Sequence, residues 1–265
     1  MNEVAIRTAK MLHQARIQGL PVDQISQTSD VFSTPEKRQL AYEIQNIQLE
    51  LRRENHETLV GWKMGLTSAA KRKQMDLDSS LYGHLTDRMR LGDRQLFELK
   101  NQIHCKVEPE IAFVMKTGLQ GHITRQAAYE AIGGVCCALE ILDSRYKQFK
   151  YFSMEDVIAD NSSSSYFVLG NPIHEFHDLN LADLKMEMMI NGELAQAGNS
   201  KDISGDPVQS IVELCELLQA QGLAVKPGDI ILAGAATQAV ALESKMEVKL
   251  NVQGLPSAFL KVGAE

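Results

Sequence analysis

Two short, almost wholly apolar segments with carboxylates inside them limit what this chain can become: Lys106-Val107-Glu108-Pro109-Glu110-Ile111-Ala112-Phe113-Val114-Met115 and Ala138-Leu139-Glu140-Ile141-Leu142-Asp143. Runs of this length and composition read as strands of a buried sheet. In the first, the two-residue period of a strand puts Glu108, Glu110, Ala112 and Val114 on one face and Val107, Pro109, Ile111 and Phe113 on the other, so neither face is simply the solvent side. Two anions two residues apart repel, and burying one without a partner costs several kcal/mol or forces it to protonate. A hard divalent cation resolves both problems, and oxygen-only ligands favour Mg²⁺ or Mn²⁺ over zinc. A solvated sheet face would account for Glu108 and Glu110 equally well. Glu140 is harder to place on a surface, because it interrupts the apolar run 135–142.

The rest of the chain is read from spacing. Residues 3–18 have helical apolar periodicity, closed by Gly19 and Pro21. Thr34-Pro35-Glu36-Lys37 predicts an N-cap with proline at the first helical position, and Leu40, Ile44, Ile47 and Leu51 carry that helix to about Asn55. From about Thr58 the character changes to short apolar strands and glycine turns. We therefore divide the chain into a helical N-terminal region, 1–57, and a catalytic domain, 58–265. In the second part Thr124 predicts a helix to about Val135, and Asp206-Pro207 one that ends near Gly222. Strands are expected at 59–64, 107–115, 138–143, 166–169, 184–190, 229–233 and 247–252, with a hairpin turn at Asn191-Gly192 and a tight turn at Lys226-Pro227-Gly228-Asp229. Strands without regular β-α alternation argue for α+β rather than a doubly wound sheet. No repeat, phosphate-binding loop or dinucleotide fingerprint is present.

Composition narrows the partners. A net charge of -7 over 265 residues, with no basic block, argues against nucleic acid. No apolar run reaches membrane-spanning length, and Met1-Asn2-Glu3-Val4 does not begin a signal peptide, so a cytoplasmic protein is expected. Cys105, Cys136, Cys137 and Cys215 lack C-x-x-C spacing and read as small buried hydrophobes in a reducing compartment. His174 and His177 follow a loop-like Asn171-Pro172 with no third soft ligand and read as surface residues.

Three further segments could carry chemistry. In Gly61-Trp62-Lys63-Met64-Gly65-Leu66-Thr67-Ser68 a strand places Gly61, Lys63 and Gly65 on one face, leaving the lysine room to meet a ligand; a glycine-rich bend with a solvated lysine fits as well. Asp160-Asn161-Ser162-Ser163-Ser164-Ser165 precedes an apolar strand and could bind a carboxylate, or could be an ordinary loop. Gly234-Ala235-Ala236-Thr237 follows a strand and reads either as turn chemistry or as a close backbone approach with one hydroxyl.

Taken together and in order, these segments resemble the 2-oxo-acid hydratase and decarboxylase family of aromatic meta-cleavage pathways, within the fumarylacetoacetate hydrolase superfamily. The resemblance implies a mixed β-sandwich roll preceded by helices. It also implies a Mg²⁺ or Mn²⁺ ion held by Glu108, Glu110 and Glu140, with Lys63 as the catalytic group and Lys63, Ser163, Ser164, Thr237 and Arg145 around the substrate. Arg145 would orient the pocket or pair with Asp143. Lys71-Arg72-Lys73-Gln74-Met75 looks like the branch that decarboxylates 2-oxo-3-hexenedioate (4-oxalocrotonate) to 2-hydroxypenta-2,4-dienoate and CO₂. Hydratases of the family carry an aspartate just before the pair matching Tyr82-Gly83, and here that position is Leu81. A hydratase must move protons at the distal carbons, so decarboxylation is favoured over hydration of 2-hydroxypenta-2,4-dienoate or a non-catalytic partner role. Ser162 stands where the family commonly has alanine, and Ala235, Ala236 and Ala241 are less typical, which bears on substrate length. Homo-oligomerisation and association with the pathway hydratase are expected from the same resemblance.

Overall fold

The computed structural model describes residues 2–68, 79–92, 94–149 and 153–264. The segment 71–75 singled out above lies outside them. Helices α1 (Glu3–Gln18), α2 (Ile25–Thr28) and α3 (Lys37–Glu54) open the chain. Next come β1 (Leu59–Gly65), β2 (Leu81–Thr86), β3 (Arg90–Leu91), β4 (Leu96–Phe97), β5 (Lys106–Met115), α4 (Arg125–Glu130), β6 (Ile132–Leu142), α5 (Met154–Ala159) and β7 (Ser164–Leu169). The chain ends with β8 (Lys185–Ile190), β9 (Glu193–Asn199), α6 (Pro207–Gln219), β10 (Ile230–Ala235), β11 (Val240–Ala241), β12 (Glu247–Val252) and β13 (Leu255–Val262).

The strands form two mixed sheets. One runs β2-β1-β10-β5-β6-β7-β3, with β11 added on β5, and the other β4-β13-β12-β8-β9. Strand β6 is buried at almost every position, as a central strand covered on both faces must be. Its odd-numbered side, with Val135, Cys137, Leu139 and Ile141, shares one apolar core with Leu250, Ala258 and Leu260 of the smaller sheet. The other side carries a smaller cluster that includes Ala112, Cys136, Ala138, Phe167 and Leu232. Register brings Glu108 opposite Glu140, Glu110 opposite Ala138 and Ala112 opposite Cys136, so the carboxylates share the face of this second cluster.

The helical region closes over β1 and β2. Ala5, Ala9, Leu12, Ala41 and Ile44 belong to the same core as Trp62 and Tyr82, and Tyr42 stacks on Tyr82 with ring centroids 4.7 Å apart. The core is therefore continuous across the 57/58 boundary. Gln45 Nε2 donates to the carbonyls of Tyr82 and Ile158, both at 3.0 Å, and ties α3 to β2 and α5.

Several expectations need correction. Helix α3 begins at Lys37, two residues after Pro35, because Thr34 to Glu36 form a turn closed by the Lys37 N–H on the Thr34 carbonyl at 3.2 Å. The helix capped by Thr124 stops at Glu130, not near Val135, because Ile132 to Leu142 are drawn into the long β5–β6 ladder. Strands β2, β9 and β13 and helix α5 were not anticipated. The hairpin at Asn191-Gly192 is present, with both residues at positive φ (52° and 87°), the primed turn that suits the twist of β8 and β9.

Candidate active site

The alternation along β5 and the antiparallel pairing with β6 bring one carboxylate oxygen from each of Glu108, Glu110 and Glu140 within 4.8 Å of one another. Glu110 and Glu140 are fully enclosed, while Glu108 is half-buried. Glu110 Oε2 accepts the Gly234 N–H at 2.8 Å, and its Oε1 is shielded from solvent with no hydrogen bond among the described residues. Glu140 Oε1 accepts from Ser164 Oγ at 2.7 Å. Its Oε2 makes no hydrogen bond of regular geometry among the described residues, though Lys63 Nζ stands 2.8 Å away as an ion pair. Buried oxygens on converging carboxylates are the donor set a hard divalent cation needs. Burial first, and then Glu140 and Glu108, push the Glu110 carboxyl well above the usual range, against the pull of Lys63.

Lys63 has the opposite balance. Burial works against its charge, but Glu140, Glu110 and Glu108 hold its pKa above the ordinary lysine value, so the ammonium persists inside the protein. The glycines around it provide the space. A Cβ on Gly83, its register partner on β2, would come within 2.8 Å of the Asn161 carbonyl and 3.2 Å of Lys63 Cδ. On Gly65 a Cβ would stand 2.7 Å from Ser162 Oγ. The ammonium also approaches Ser162, at 3.3 Å from Oγ and 3.4 Å from the carbonyl.

The serine run divides into a turn and a strand start. Asn161, Ser162 and Ser163 all have positive φ (51°, 53° and 55°), a left-handed turn that is costly for residues with a Cβ. Surrounding bonds hold it in place. Asn161 Oδ1 accepts the His84 N–H at 2.7 Å and its Nδ2 donates to the His84 carbonyl at 3.1 Å, so the side chain joins β2 as a strand would. Ser163 Oγ donates to Asp160 Oδ2 at 3.0 Å, and the Asp143 N–H reaches the Ser163 carbonyl at 2.8 Å. Buried Arg145 donates from Nε to Asp160 Oδ1 at 2.5 Å, from Nη1 to the carbonyls of Asp143 at 2.8 Å and Ser164 at 3.2 Å, and from Nη2 to the Asp160 carbonyl. It thus pairs with Asp160, while the Asp143 carboxylate accepts the N–H groups of Ile103 and His104.

A cleft of about 100 Å³ lies over this assembly. Lys63, Glu108, Thr67, Ser68 and Ser162 provide its polar lining and Met64, Leu66, Leu142, Val157 and Ala235 its apolar one. Its position follows from the sheet: β10 pairs with β5 up to Ala235 and Glu110, pairing resumes only at Val240 and Val107, and residues 236–239 leave the ladder between them. Thr237 is in that departure. Its hydroxyl donates to the Gln238 carbonyl at 3.3 Å, and it does not line the cleft. The structure thus gathers Lys63, the three glutamates and Ser162. Ser163, Ser164 and Arg145 stand around them with their side chains bonded to protein groups. Asp160, Asn161 and His84, which carry the turn, were given no separate role by the sequence. The unusual string of polar residues before an apolar strand was their signal.

The fumarylacetoacetate (FAA) hydrolase C-terminal family model matches residues 73–262. The chain is 39% identical over 261 residues to a 4-oxalocrotonate decarboxylase of a Pseudomonas species, covering 98% of each protein. It is 34% identical over 221 residues to a 2-keto-4-pentenoate hydratase of Burkholderia vietnamiensis, covering 82% of this chain and 83% of the relative. The solved structure of a 4-oxalocrotonate decarboxylase from Pseudomonas putida G7, complexed with magnesium and adipate, superposes with a TM-score of 0.90 at 30% identity, covering 99% of this chain and 98% of that one.

Proposed function

Because the chain belongs to the fumarylacetoacetate hydrolase family, we propose that it is a metal-dependent carboxy-lyase that converts 2-oxo-3-hexenedioate to 2-hydroxypenta-2,4-dienoate and CO₂ in aromatic meta-cleavage catabolism. The observation that carries this reading is the joining of three convergent glutamates to a buried ammonium, in a chain that aligns with a decarboxylase from end to end. Glu108, Glu110 and Glu140 would hold Mg²⁺ or Mn²⁺, and residues 58–265 supply every proposed ligand while 1–57 buttress β1 and β2. When bound, the cation supplies Lewis-acid polarisation of the 2-oxo group.

The remaining steps fall to the protein. Loss of CO₂ breaks the C5–C6 bond, and its electron pair shifts through C4 and C3 to the C2 oxygen. Lys63, kept protonated by its carboxylate neighbours, is assigned to meet that developing charge and to deliver the proton that completes the enol. Ser162 positions the ammonium, Ser164 orients Glu140, and Ser163 with Arg145 fixes the turn that places both. Thr237 is proposed to meet the substrate from the β10 side. The apolar lining of the cleft disfavours a carboxylate relative to neutral CO₂, which helps the departing group leave.

Incubation of the purified protein with Mg²⁺ and 2-oxo-3-hexenedioate should release CO₂; no release at full metal occupancy overturns the reading. The relative at 34% identity keeps hydration as a second reading, whose assay is formation of 4-hydroxy-2-oxopentanoate. Leu81, fully buried, supplies no acid for that reaction. We further propose a homo-oligomer that associates with the pathway hydratase. The four cysteines are free and buried, which supports a reducing, cytoplasmic setting. No described helix is long and apolar enough to cross a membrane.

A further inference from the structure

At the start of β7 the fold contains a second polar cavity, of about 410 Å³, whose lining includes Arg16, Arg52, Glu57, Arg88, Ser165 and Tyr166. The register of β6 with β7 shifts at Ser165, which lies between the partners of Ile141 and Leu142, so Ser164 serves Glu140 while Ser165 and Tyr166 both line this cavity. Donors here outnumber acceptors. Glu57 is the acid in the lining, and both its oxygens are engaged: Oε2 by Thr86 Oγ1 at 2.6 Å and Arg52 Nη1 at 3.2 Å, Oε1 by Arg16 Nη2 at 3.6 Å. Arg16 Nε is shielded from solvent and has no hydrogen-bond partner among the described residues. The Arg88 guanidinium and the hydroxyls of Ser165 and Tyr166 make no hydrogen bond among the described residues. Three guanidinium groups thus face one carboxylate, and buried Arg145 lies close enough to add to the field on Arg16 and Arg52.

We propose that this cavity is a second, non-catalytic binding site for a small oxyanion, a carboxylate or a phosphate. Planar guanidinium forks at Arg16 and Arg88 with two adjacent hydroxyls match the oxygens of such a group, and the anion would complete bonds that the protein leaves unmade. The site shares β7 with the metal centre through Ser164 and Ser165, but it uses neither Lys63 nor the three glutamates.

The test is calorimetric titration of the full-length, metal-free protein with inorganic phosphate and, separately, with succinate, which distinguishes the two sources of the oxyanion. Saturable one-to-one binding is expected for at least one of them. Arg88→Ala, at an exposed residue whose guanidinium makes no hydrogen bond among the described residues, should weaken it about tenfold, the loss expected for one charge-assisted hydrogen bond. Tyr166→Phe should weaken it severalfold. The absence of saturable binding up to about 20 mM of either anion overturns the proposal. So does equal affinity in Arg88→Ala, which would assign the anion to a site elsewhere on the protein.

Discussion

Glu108 and Glu140 stand directly opposite each other in the β5–β6 ladder, with Glu110 two residues along on the same face. Like charges at opposed positions weaken a sheet, so the site is stable only with positive charge among the carboxylates. Lys63 provides one such charge, 2.8 Å from Glu140.

The metal-free protein should therefore gain thermal stability from Mg²⁺ or Mn²⁺, and Glu110→Gln should remove most of that gain. Because the Glu110 pKa is raised in the folded protein, its contribution to stability is present below the ordinary carboxylate pKa and is lost as pH rises through the folded value. Metal-free Glu110→Gln should accordingly be more stable than the parent near pH 8, by about 1 kcal/mol, with the difference closing near pH 5. Calorimetry with and without chelator measures both effects, and an unmoved transition on adding metal to the parent would count against the site.

Lys63→Met leaves Glu140 buried beside Glu110 with no ammonium, so the metal-free variant should lose about 3–5 kcal/mol, partly restored by Mg²⁺. Its turnover should fall by about 10²-fold or more. Lys63→Arg should not rescue turnover, because a longer planar guanidinium cannot take the place of an ammonium already 2.8 Å from Glu140 and 3.3 Å from Ser162 Oγ. Urea unfolding and CO₂ release report the two quantities separately.

His84 and His13 are buried and held neutral, with pKa values lowered to about 3 and about 4, in each case mainly by burial and then by nearby arginines. A histidine depressed in this way leaves stability intact above its unfolded value of 6.5 and withdraws it as pH falls towards the folded one. Each should cost about 2 kcal/mol by pH 5. The urea midpoint should therefore drop between pH 6.5 and 5, and His84→Gln should make that drop shallower.

Ser162 holds φ at 53°. Ser162→Gly relieves that conformation and should raise stability by up to about 1 kcal/mol, yet turnover should fall severalfold because Oγ no longer meets Lys63 at 3.3 Å. Ser162→Ala keeps the strain and should show only the loss of turnover. Equal stability of the two variants would show that the left-handed turn is not strained.

The glutamates were legible because each interrupts an apolar run, and strands β5 and β6 were legible because both are buried on two faces. The lysine was half legible. Its strand shows the empty glycine positions beside it, but Glu140 belongs to β6, beyond β10 and β5 in the sheet, and no local pattern announces that meeting. The same holds for Asn161, whose partner His84 is 77 residues away. Strand β9 was missed because its residues are mostly exposed or half-buried and show no two-residue apolar period. The helix predicted to about Val135 failed where a ten-residue ladder outweighed local propensity.

Strand β10 lies between β1, which carries Lys63, and β5, which carries Glu108 and Glu110. The carboxylates can meet as a hairpin once β6 has been made, but the lysine can join their sheet only after residues 230–235 have been added between them. A chain emerging from the ribosome therefore carries its acidic half-site and its lysine apart until β10 has been made, and a fragment ending before β10 would hold both halves of the chemistry without the means to bring them together.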